Sequence, residues 1–489
     1  MRNDILKALT RHEKTGRRVL ILSLLYTIPV LASMNPIIDP DIWLHLRTGQ
    51  WIIENGTVPV IDPFSIYGMG KPWIAYSWLF DLLVYGLYRA FGLVGLVCYT
   101  VVSSLLIAGA LHTLVRRVEP HFSFAAVITA LGLACMLPLL HPRPWLLTIL
   151  FFIVELHILL GVRQSGNPRR LWLLPPLFIL WANIHIQFIY GLLVLGLAAM
   201  EPLIYRLLPI VPTEAGSKKI PLGRLLLITL LCTIATLATP YHIHLYWTVL
   251  EYMAQSVPSK YVNEHLPLRL GSFPEWLVLI LTLATVFSIG WRRQIQPFPL
   301  LLLTAGIFLS FRARRDVWFV VVTAATIIAT PRFREPAAEN FTVTKLRLTF
   351  VAAAILVALS VVGWIRNISE NHLQEMVAKA YPVSATAIVE RRGYPSPLYN
   401  HYNWGDYLIW RLPNLPVSMD GRTNLHGDKR IERSFKTWAG GRDWASDPEL
   451  AAGRLVIANV NHALTSLLRL DSRFKLVYED ELAAVFLAR

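Results

Sequence analysis

Cysteine and charge are both scarce in this chain. Its 489 residues include three cysteines, Cys98, Cys135 and Cys232, and each lies inside an apolar run, which argues against a disulfide framework or a cysteine-based metal cluster. Charged residues make up 16% of the chain and hydrophobic residues 55%, a balance atypical of soluble globular proteins. The 16 Trp, 18 Tyr and 21 Phe residues exclude an intrinsically disordered polymer as well.

The hydrophobic residues are concentrated in twelve runs between Leu20 and Trp364. A helix needs about 20 mostly apolar residues to cross the hydrocarbon core of a bilayer. The runs therefore predict a polytopic membrane protein with 11 to 13 transmembrane helices. The run Trp73–Ala90 is either a span or a re-entrant or interfacial segment, because counting it as a span places the Arg116–Arg117 pair on the external side.

Positive charge predicts the orientation of the chain. The segment before the first run carries Arg or Lys at six positions and lacks a nearby small-residue cleavage site, so we expect a cytoplasmic N-terminus in a bacterial inner membrane. We predict a transmembrane domain over residues 1–365, with an external first loop at 35–72, and an external, periplasmic domain over 366–489. Most of the net charge of +15 then belongs to loops that flank spans, so we expect no nucleic-acid partner.

The C-terminal part has a soluble composition, with 16 basic and 14 acidic residues from Arg366 onward. Its pattern predicts a small α/β domain with strands at 397–402, 417–419 and 455–460, a helix from His462, and a hairpin over 475–487. It contains no glycine-rich nucleotide-binding loop. Its Asp420-Gly421-Arg422 segment is either a binding loop or a tight turn with an internal ion pair.

The first predicted loop holds two carboxylates close to the membrane surface. Pro40 sets the backbone at the start of a helix, and Asp41 then lies in the first turn, where the helix dipole favours a carboxylate. Trp43 and Trp51 give this helix a mixed polarity suited to the membrane interface. Taken alone, Asp39 and Asp41 either cap an interfacial helix or present a reactive carboxylate.

The loop resembles the first external loop of GT-C class glycosyltransferases, the superfamily that includes protein O-mannosyltransferases and lipid A aminoarabinose transferases. The resemblance runs from Asp39 to the Lys71-Pro72 pair, and the hydropathy profile extends it over the chain. It departs at Ile42, where relatives often carry a second acid. A bacterial subgroup is closer, and its signatures resemble Asp39-Pro-Asp-x-Trp-x-His45, Arg143-Pro144, Trp181-Ala-Asn-Ile-His185, Pro240-Tyr241, Asn403-Trp-Gly-Asp-Tyr407 and Asp420-Gly-Arg422.

The resemblance implies an all-α polytopic membrane domain of GT-C architecture with a C-terminal soluble α/β domain. It also implies an enzyme that moves a sugar from a polyprenyl-phosphate-linked donor to a glycan, lipid or protein acceptor at the external membrane face. In that family an acid at the start of the juxtamembrane helix is catalytic, so we predict Asp41 as the general base. Asp39 is its orienting partner or, if a divalent metal such as Mg or Mn is used, a ligand together with Asp41.

A phosphate leaving group predicts cations near the external face. Lys71 is either a phosphate contact or a snorkelling interfacial lysine. Arg143, and the group Arg312, Arg314 and Arg315, fall outside by the charge count and are candidate phosphate ligands, although a miscounted span makes the latter a cytoplasmic anchor. The predicted substrate-binding set also includes His45, His185, Tyr241 and Glu264, and a helix-packing hydrogen bond is the alternative for His185.

Two other functions compete with glycosyl transfer. A transporter or flippase for a lipid-linked sugar predicts internal repeats, and the sequence shows no repeat. A non-catalytic membrane assembly partner with the same fold is the other alternative, and the missing acid at Ile42 is compatible with it.

Overall fold

The structure, a computed structural model, describes residues 2–32, 39–207, 220–292, 296–330, 357, 361–363 and 368–489. Helices dominate the part before residue 331. They are α1 Arg2–Ala32, α2 Asp41–Asn55, α3 Trp78–Phe91, α4 Leu93–Val118, α5 Phe122–Met136, α6 Trp145–Ser165, α7 Leu174–Ile184, α8 Phe188–Leu207, α9 Leu222–Ala235, α10 His244–Ala254, α11 Pro258–Tyr261, α12 Phe273–Arg292, α13 Pro297–Arg312 and α14 Val317–Ile328.

Five of the described helices are long and apolar enough to cross a membrane: α4, α5 with the turn that extends it to Leu139, α6, α8 and α12. Shorter apolar helices are Arg18–Ala32 within α1, α9 and α13. The 14-residue α3 is shorter than a straight span requires, which favours the re-entrant or interfacial alternative for this run. The last predicted run, near residues 350–364, falls mostly outside the described residues.

Helix α14 lies at the centre of the bundle. Its residues Val317–Ala325 are all buried, and it packs against α12, α13 and α5. Trp318 and Phe319 contact the ring of Phe152 on α6 with centroids 5.0 and 4.6 Å apart. A helix that is apolar on every side belongs inside a bundle. The turn that precedes α14 is therefore held rigidly, and Arg314 and Arg315 lie on that turn.

The C-terminal part forms a four-stranded sheet with helices around it. Its strands are β1 Leu398–Asn400, β2 Leu455–Asn459, β3 Phe474–Glu479 and β4 Ala483–Ala488, in the order β1-β2-β4-β3. The β1/β2 pair is parallel, and the β2/β4 and β3/β4 pairs are antiparallel. Its helices are α15 Glu370–Ala380, α16 Val383–Arg392, α17 Tyr402–Arg411, α18 Thr423–His426, α19 Asp428–Trp438, α20 Pro448–Ala452 and α21 Ala463–Leu470.

The predicted α/β character of this part is confirmed, including the C-terminal hairpin and the helix that follows His462. The predicted strand at 417–419 is wrong. Val417 makes only isolated bridges, one to Ser65 of the first loop and one to Leu398. Because this residue is shared between two segments that run through different parts of the molecule, a regular ladder does not form there.

The C-terminal part packs directly on the first loop. Helix α17 lies against α2, and the indole of Trp43 contacts the rings of Tyr381 and Tyr407 with centroids 5.6 and 5.2 Å apart. All three side chains are buried. The apolar side of α2 is thereby covered, and its opposite side faces a cavity.

Candidate functional site

Helix α2 presents one row of side chains to a cavity of about 740 Å³. It begins at Asp41 after Pro40, as predicted, and buries Ile42, Trp43 and Leu46. The residues of α2 that line the cavity are Asp41, Leu44, His45 and Thr48, which share a helix face by their three- and four-residue spacing. Since Ile42 points into the core, an acid at that position would not reach this cavity.

The cavity walls come from several parts of the chain. Besides α2, they are residues 73–77 and Asp81 around the start of α3, the turn between α5 and α6, His185 after α7, the region 252–278 from α10 to α12, the turn between α13 and α14, and the C-terminal part. The C-terminal contribution includes Tyr381, Tyr402, Asn403 and Gly421. The cavity therefore lies between the membrane-helix bundle and the C-terminal part.

Arg143 is the central cation of the cavity. Its Nε donates to Asp39 Oδ2 at 2.6 Å, its Nη1 donates to Asp41 Oδ2, and its Nη2 donates to Glu264 Oε2 at 3.0 Å. One guanidinium thus holds three carboxylates, two from the first loop and one from a segment more than 200 residues later. The side chain is 9% exposed, and its guanidinium lies 4.8 Å from the Trp145 ring centroid, so its position is fixed.

The two predicted catalytic aspartates have different environments. Burial alone would raise the pKa of Asp39, but Arg143 and then His141, whose Nε2 lies 2.9 Å from Asp39 Oδ2, hold it well below its usual range. Burial raises the pKa of Asp41 to about 6, and repulsion from Asp39 and Glu264 adds to this against the attraction of Arg143. Asp39 therefore remains ionised, while Asp41 exchanges a proton near neutral pH.

Asp39 also orients Asp41. Its Oδ1 accepts a hydrogen bond from the backbone N–H of Asp41 at 3.1 Å, across the intervening Pro40. The side chain of Asp41 is 30% exposed, which leaves part of its carboxylate accessible from the cavity.

The segment that carries Glu264 is held by the two arginines that precede α14. Arg315 Nη1 lies 3.6 Å from Glu264 Oε1 and 3.0 Å from His265 Nε2. Burial, and next the charge of Arg315, lower the pKa of His265 to about 3, so its ring is neutral. Arg314 pairs with Glu275 Oε1 at 2.6 Å and donates to Asn263 Oδ1 at 2.8 Å. Arg314 is thus occupied, whereas Arg315 makes a longer contact with its carboxylate.

Two histidines line the inner part of the cavity. His45 Nδ1 lies 2.6 Å from Asp81 Oδ1, and His185 Nδ1 lies 2.9 Å from Thr148 Oγ1. Thr148 also accepts from Trp181 Nε1 at 3.0 Å. His185 therefore makes a packing hydrogen bond and lines the cavity at once.

The Asp420-Gly421-Arg422 segment joins the C-terminal part to the first loop. Arg422 pairs with Asp420 Oδ2 at 2.7 Å within the turn and with Asp62 Oδ1 at 2.6 Å across it. His426 Nε2 also lies 3.1 Å from Asp420 Oδ2. The guanidinium of Arg422 stands 4.6 Å from the Trp73 ring centroid. The internal ion pair that the sequence offered as one alternative is present, and a second pair reaches the first loop.

Seven of the predicted site residues line the cavity with Asp41: Asp39, His45, Arg143, His185, Glu264, Arg314 and Arg315. Lys71, Tyr241 and Arg312 are described residues that lie outside its lining. Lys71 and Arg312 are exposed, while Tyr241 is buried and its hydroxyl donates to the Pro59 carbonyl at 2.9 Å. Substrate binding by these three residues stays a prediction.

Several residues of the cavity are not among the predicted site residues. His141, His265 and Asp81 each contact a predicted site residue, and Tyr76 and Tyr252 place their hydroxyls 3.4 Å apart at the wall. His141 is two residues from Arg143, so its position beside a predicted ligand was the available signal. The other residues had no signal, because they reach the cavity only through the packing of separate helices.

The donor set does not suit a divalent metal. Within the described ranges, no three His, Cys, Asp or Glu side chains are grouped as ligands of one ion. The carboxylates of Asp39, Asp41 and Glu264 instead converge on Arg143, whose guanidinium occupies the space between them.

Solved structures of known proteins share this fold. ArnT from Cupriavidus metallidurans matches in the apo state with a TM-score of 0.52 and 18% identity, over 97% of this chain and 98% of that chain. The same protein bound to undecaprenyl phosphate matches with a TM-score of 0.51 and 16% identity, over 96% and 98%. Archaeal oligosaccharyltransferase AglB from Archaeoglobus fulgidus, in complex with an inhibitory peptide and a dolichol-phosphate, matches with a TM-score of 0.50 and 12% identity, over 90% and 69%.

These neighbours are GT-C glycosyltransferases, and the chain has the GT-C architecture that the sequence resemblance implied. No family model matches the chain, and no curated relative does.

Proposed function

We propose that this chain is a glycosyltransferase that uses a sugar linked to a polyprenyl phosphate, with Asp41 as the general base. The observation that carries the proposal is the Asp39–Asp41 pair, whose two carboxylates share Arg143 in one cavity and differ in their affinity for protons. The fold adds support, because ArnT has been solved bound to undecaprenyl phosphate and AglB in complex with a dolichol-phosphate. The orientation of charge in the sequence favours an active site on the external face of a bacterial inner membrane.

Asp41 has the properties that a base requires. With a pKa raised to about 6 by burial, it is mostly ionised at neutral pH and still basic enough to take up a proton in the transition state. In the proposed reaction an acceptor hydroxyl or amide attacks the anomeric carbon while its proton passes to Asp41. Asp39, kept ionised by Arg143 and His141, fixes the backbone of Asp41 and the guanidinium beside it.

The donor phosphate needs a cation that is not already neutralised. Arg143 is surrounded by three carboxylates, and Arg314 is paired with Glu275. The contact of Arg315 Nη1 with Glu264 Oε1 is 3.6 Å, longer than the 2.6 Å contact of Arg314 with Glu275 Oε1, so the guanidinium of Arg315 is the more weakly paired one. We assign Arg315 to the donor phosphate on this ground.

The acceptor and the sugar stay open in this proposal. Tyr402 and Asn403 of the C-terminal part line the cavity, and they are our candidates for the acceptor side. A role for the C-terminal part in acceptor binding follows from its position as a wall of the cavity.

The test is sugar transfer by the purified full chain in lipid nanodiscs, with polyprenyl-phosphate sugars as donors. We expect Asp41→Asn to lose at least 100-fold in rate, because the amide cannot accept the proton. The matched control is Glu54→Gln, on the same helix, with a carboxylate that is 49% exposed and outside the cavity lining. Full transfer by Asp41→Asn would reject Asp41 as the base. Absence of transfer and of undecaprenyl phosphate binding by the wild type would favour the assembly-partner alternative.

A further inference from the structure

A histidine–aspartate pair lies beside Asp41 and has no part in the mechanism above. His45 follows Asp41 by one helical turn on the same face of α2. Its Nδ1 is 2.6 Å from Oδ1 of Asp81, which belongs to the first turn of α3 and is 2% exposed. The edge of the imidazole also packs against Phe80, with ring centroids 4.9 Å apart and planes at 88°. The ring therefore has one defined orientation.

The packing of α2 on α3 makes this contact possible. Gly49 lies one turn beyond His45, and a Cβ at that position would stand 2.3 Å from the carbonyl oxygen of Asp81. Only a residue without a side chain allows the two helices to approach this closely. The approach brings the buried carboxylate of Asp81 to the ring nitrogen of His45.

A buried carboxylate is stable only when its charge is compensated. Asp81 has the imidazole of His45 as its charge partner, so a proton held between the two groups neutralises the pair. With Nδ1 engaged by Asp81, Nε2 is the polar atom that the ring has left for the cavity. The pair thus places a ring nitrogen that can carry a proton next to the base.

We propose that His45, positioned by Asp81, is the general acid that protonates the departing phosphate. This inference rests on the proposed function. As the acceptor oxygen forms its bond to the anomeric carbon, the carbon–oxygen bond to phosphate breaks, and its electron pair stays on the phosphate oxygen. The acceptor proton passes to Asp41, and the Nε2 proton of His45 passes to that oxygen. Water in the cavity then returns the proton from Asp41 to His45, so the cycle consumes no net proton.

The leaving group can accept a proton. A phosphate monoester takes up its second proton near pH 6. Without the transfer the leaving group departs as a dianion into a cavity that already holds Asp39, Asp41 and Glu264. Among the other charged or titratable groups of the cavity, Arg143 and Arg315 act on the same region as His45. The cavity lining also includes Tyr76, His141, His185, Tyr252, His265, Glu275, Arg314, Tyr381, Tyr402 and Arg422.

The first test measures binding of undecaprenyl phosphate to the full chain in nanodiscs between pH 5.5 and 8.5. We expect His45→Gln to bind at least tenfold more weakly than wild type at pH 6 and to differ less at pH 8.5, because alkaline pH favours the unprotonated form of any imidazole. The titration of the phosphate itself is common to both proteins, so the difference isolates the ring. His372→Gln, an exposed histidine on α15 outside the cavity lining, is the control and should match wild type.

The second test is the pH–rate profile of transfer. Wild type should show a bell-shaped profile. Its acid limb reports the pKa of the general base, and its alkaline limb reports the pKa of the general acid. His45→Gln should lose the alkaline limb and keep the acid limb. Asp81→Asn should move the alkaline limb to lower pH, because the imidazolium loses its carboxylate partner, whereas Asp81→Glu should partly restore it.

Three outcomes are informative. Loss of the alkaline limb and at least tenfold weaker binding at pH 6 in His45→Gln support His45 as the acid. An unchanged bell and unchanged affinity in His45→Gln overturn this inference and leave Asp41 as the base. If wild type neither binds undecaprenyl phosphate nor transfers sugar, the proposed function is overturned and this inference with it.

Discussion

Gly421 of the C-terminal part lies directly against Asp41 of the first loop. A Cβ on Gly421 would stand 3.2 Å from Asp41 Oδ1 and 2.6 Å from Asp406 Oδ2, and the backbone N–H of Gly421 donates to Asp406 Oδ1 at 3.1 Å. Two buried or half-buried carboxylates from different parts of the molecule thus meet across one glycine. The C-terminal part is therefore a wall of the candidate active site and contacts the predicted base itself.

This contact predicts that Gly421→Ala impairs transfer more than folding. The new methyl group must displace the Asp406 carboxylate and press on that of Asp41, so we expect at least a tenfold loss in kcat/KM. A shift of that kind costs about 1–3 kcal/mol in a packed site, so the chain should still fold. Transfer assays and thermal unfolding measure the two effects.

Gly196→Ala is the control, because a Cβ at Gly196 meets no atom within 4 Å. Equal activity of Gly421→Ala and wild type would show that the C-terminal part does not constrain Asp41.

The environment of Asp41 predicts the acid limb of the pH–rate profile of transfer. Burial raises its pKa to about 6, above the ordinary value of 3.8, and the base works only when ionised. The rate should therefore fall as pH drops through about 6. The same shift means that ionisation of Asp41 lowers the free energy of unfolding. This destabilisation is absent below pH 3.8 and fully present above pH 6. Asp41→Asn should accordingly be more stable than wild type at pH 7.5, by about 1 kcal/mol.

Measurement of kcat/KM and of the midpoint of thermal unfolding from pH 4.5 to 8 checks both the expected fall in rate and the expected gain in stability of Asp41→Asn. An acid limb near pH 4 would mean that the carboxylate has its ordinary proton affinity, and the assignment of distinct roles to Asp39 and Asp41 would then lose its support. Glu54→Gln again serves as the reference, since its exposed carboxylate should alter neither curve.

The ion pair between Arg422 and Asp62 predicts how strongly the C-terminal part is held to the first loop. Both side chains are buried, with 3% and 0% exposed, and Arg422 also neutralises Asp420. Arg422→Gln removes the cation and leaves two buried carboxylates, with His426 beside Asp420 as the remaining side-chain partner of that carboxylate. Breaking a buried pair in this way costs about 3–5 kcal/mol. We expect a lower unfolding temperature. We also expect faster proteolysis of the segments that meet at the contact between the first loop and the C-terminal part.

The matched control for this prediction is Arg473→Gln. Arg473 pairs with Asp471 at a similar distance of 2.7 Å, but its side chain is 43% exposed. Surface pairs contribute about 0–1 kcal/mol, so this variant should unfold close to wild type. If the two variants behave alike, the Arg422 pair does not hold the parts together.

The sequence by itself determined the class of architecture and the start of the site. Long apolar runs fix helices in a bilayer, and the Asp39-Pro40-Asp41 pattern fixes a helix start with a carboxylate in its first turn, because these are properties of local backbone and composition. The alternation of apolar residues also located most strands of the C-terminal part. It failed at 417–419, where Val417 bridges two distant segments instead of joining a ladder.

The tertiary structure alone decided which groups meet. Arg143 lies 104 residues from Asp39 and 121 from Glu264, and Arg422 lies 360 residues from Asp62, yet each forms a direct pair. His45 meets Asp81 because Gly49 lets two helices touch, and Gly421 meets Asp41 because the C-terminal part packs on α2. Such contacts depend on how whole elements bury their apolar faces against one another, and that information is not local to any stretch of the chain.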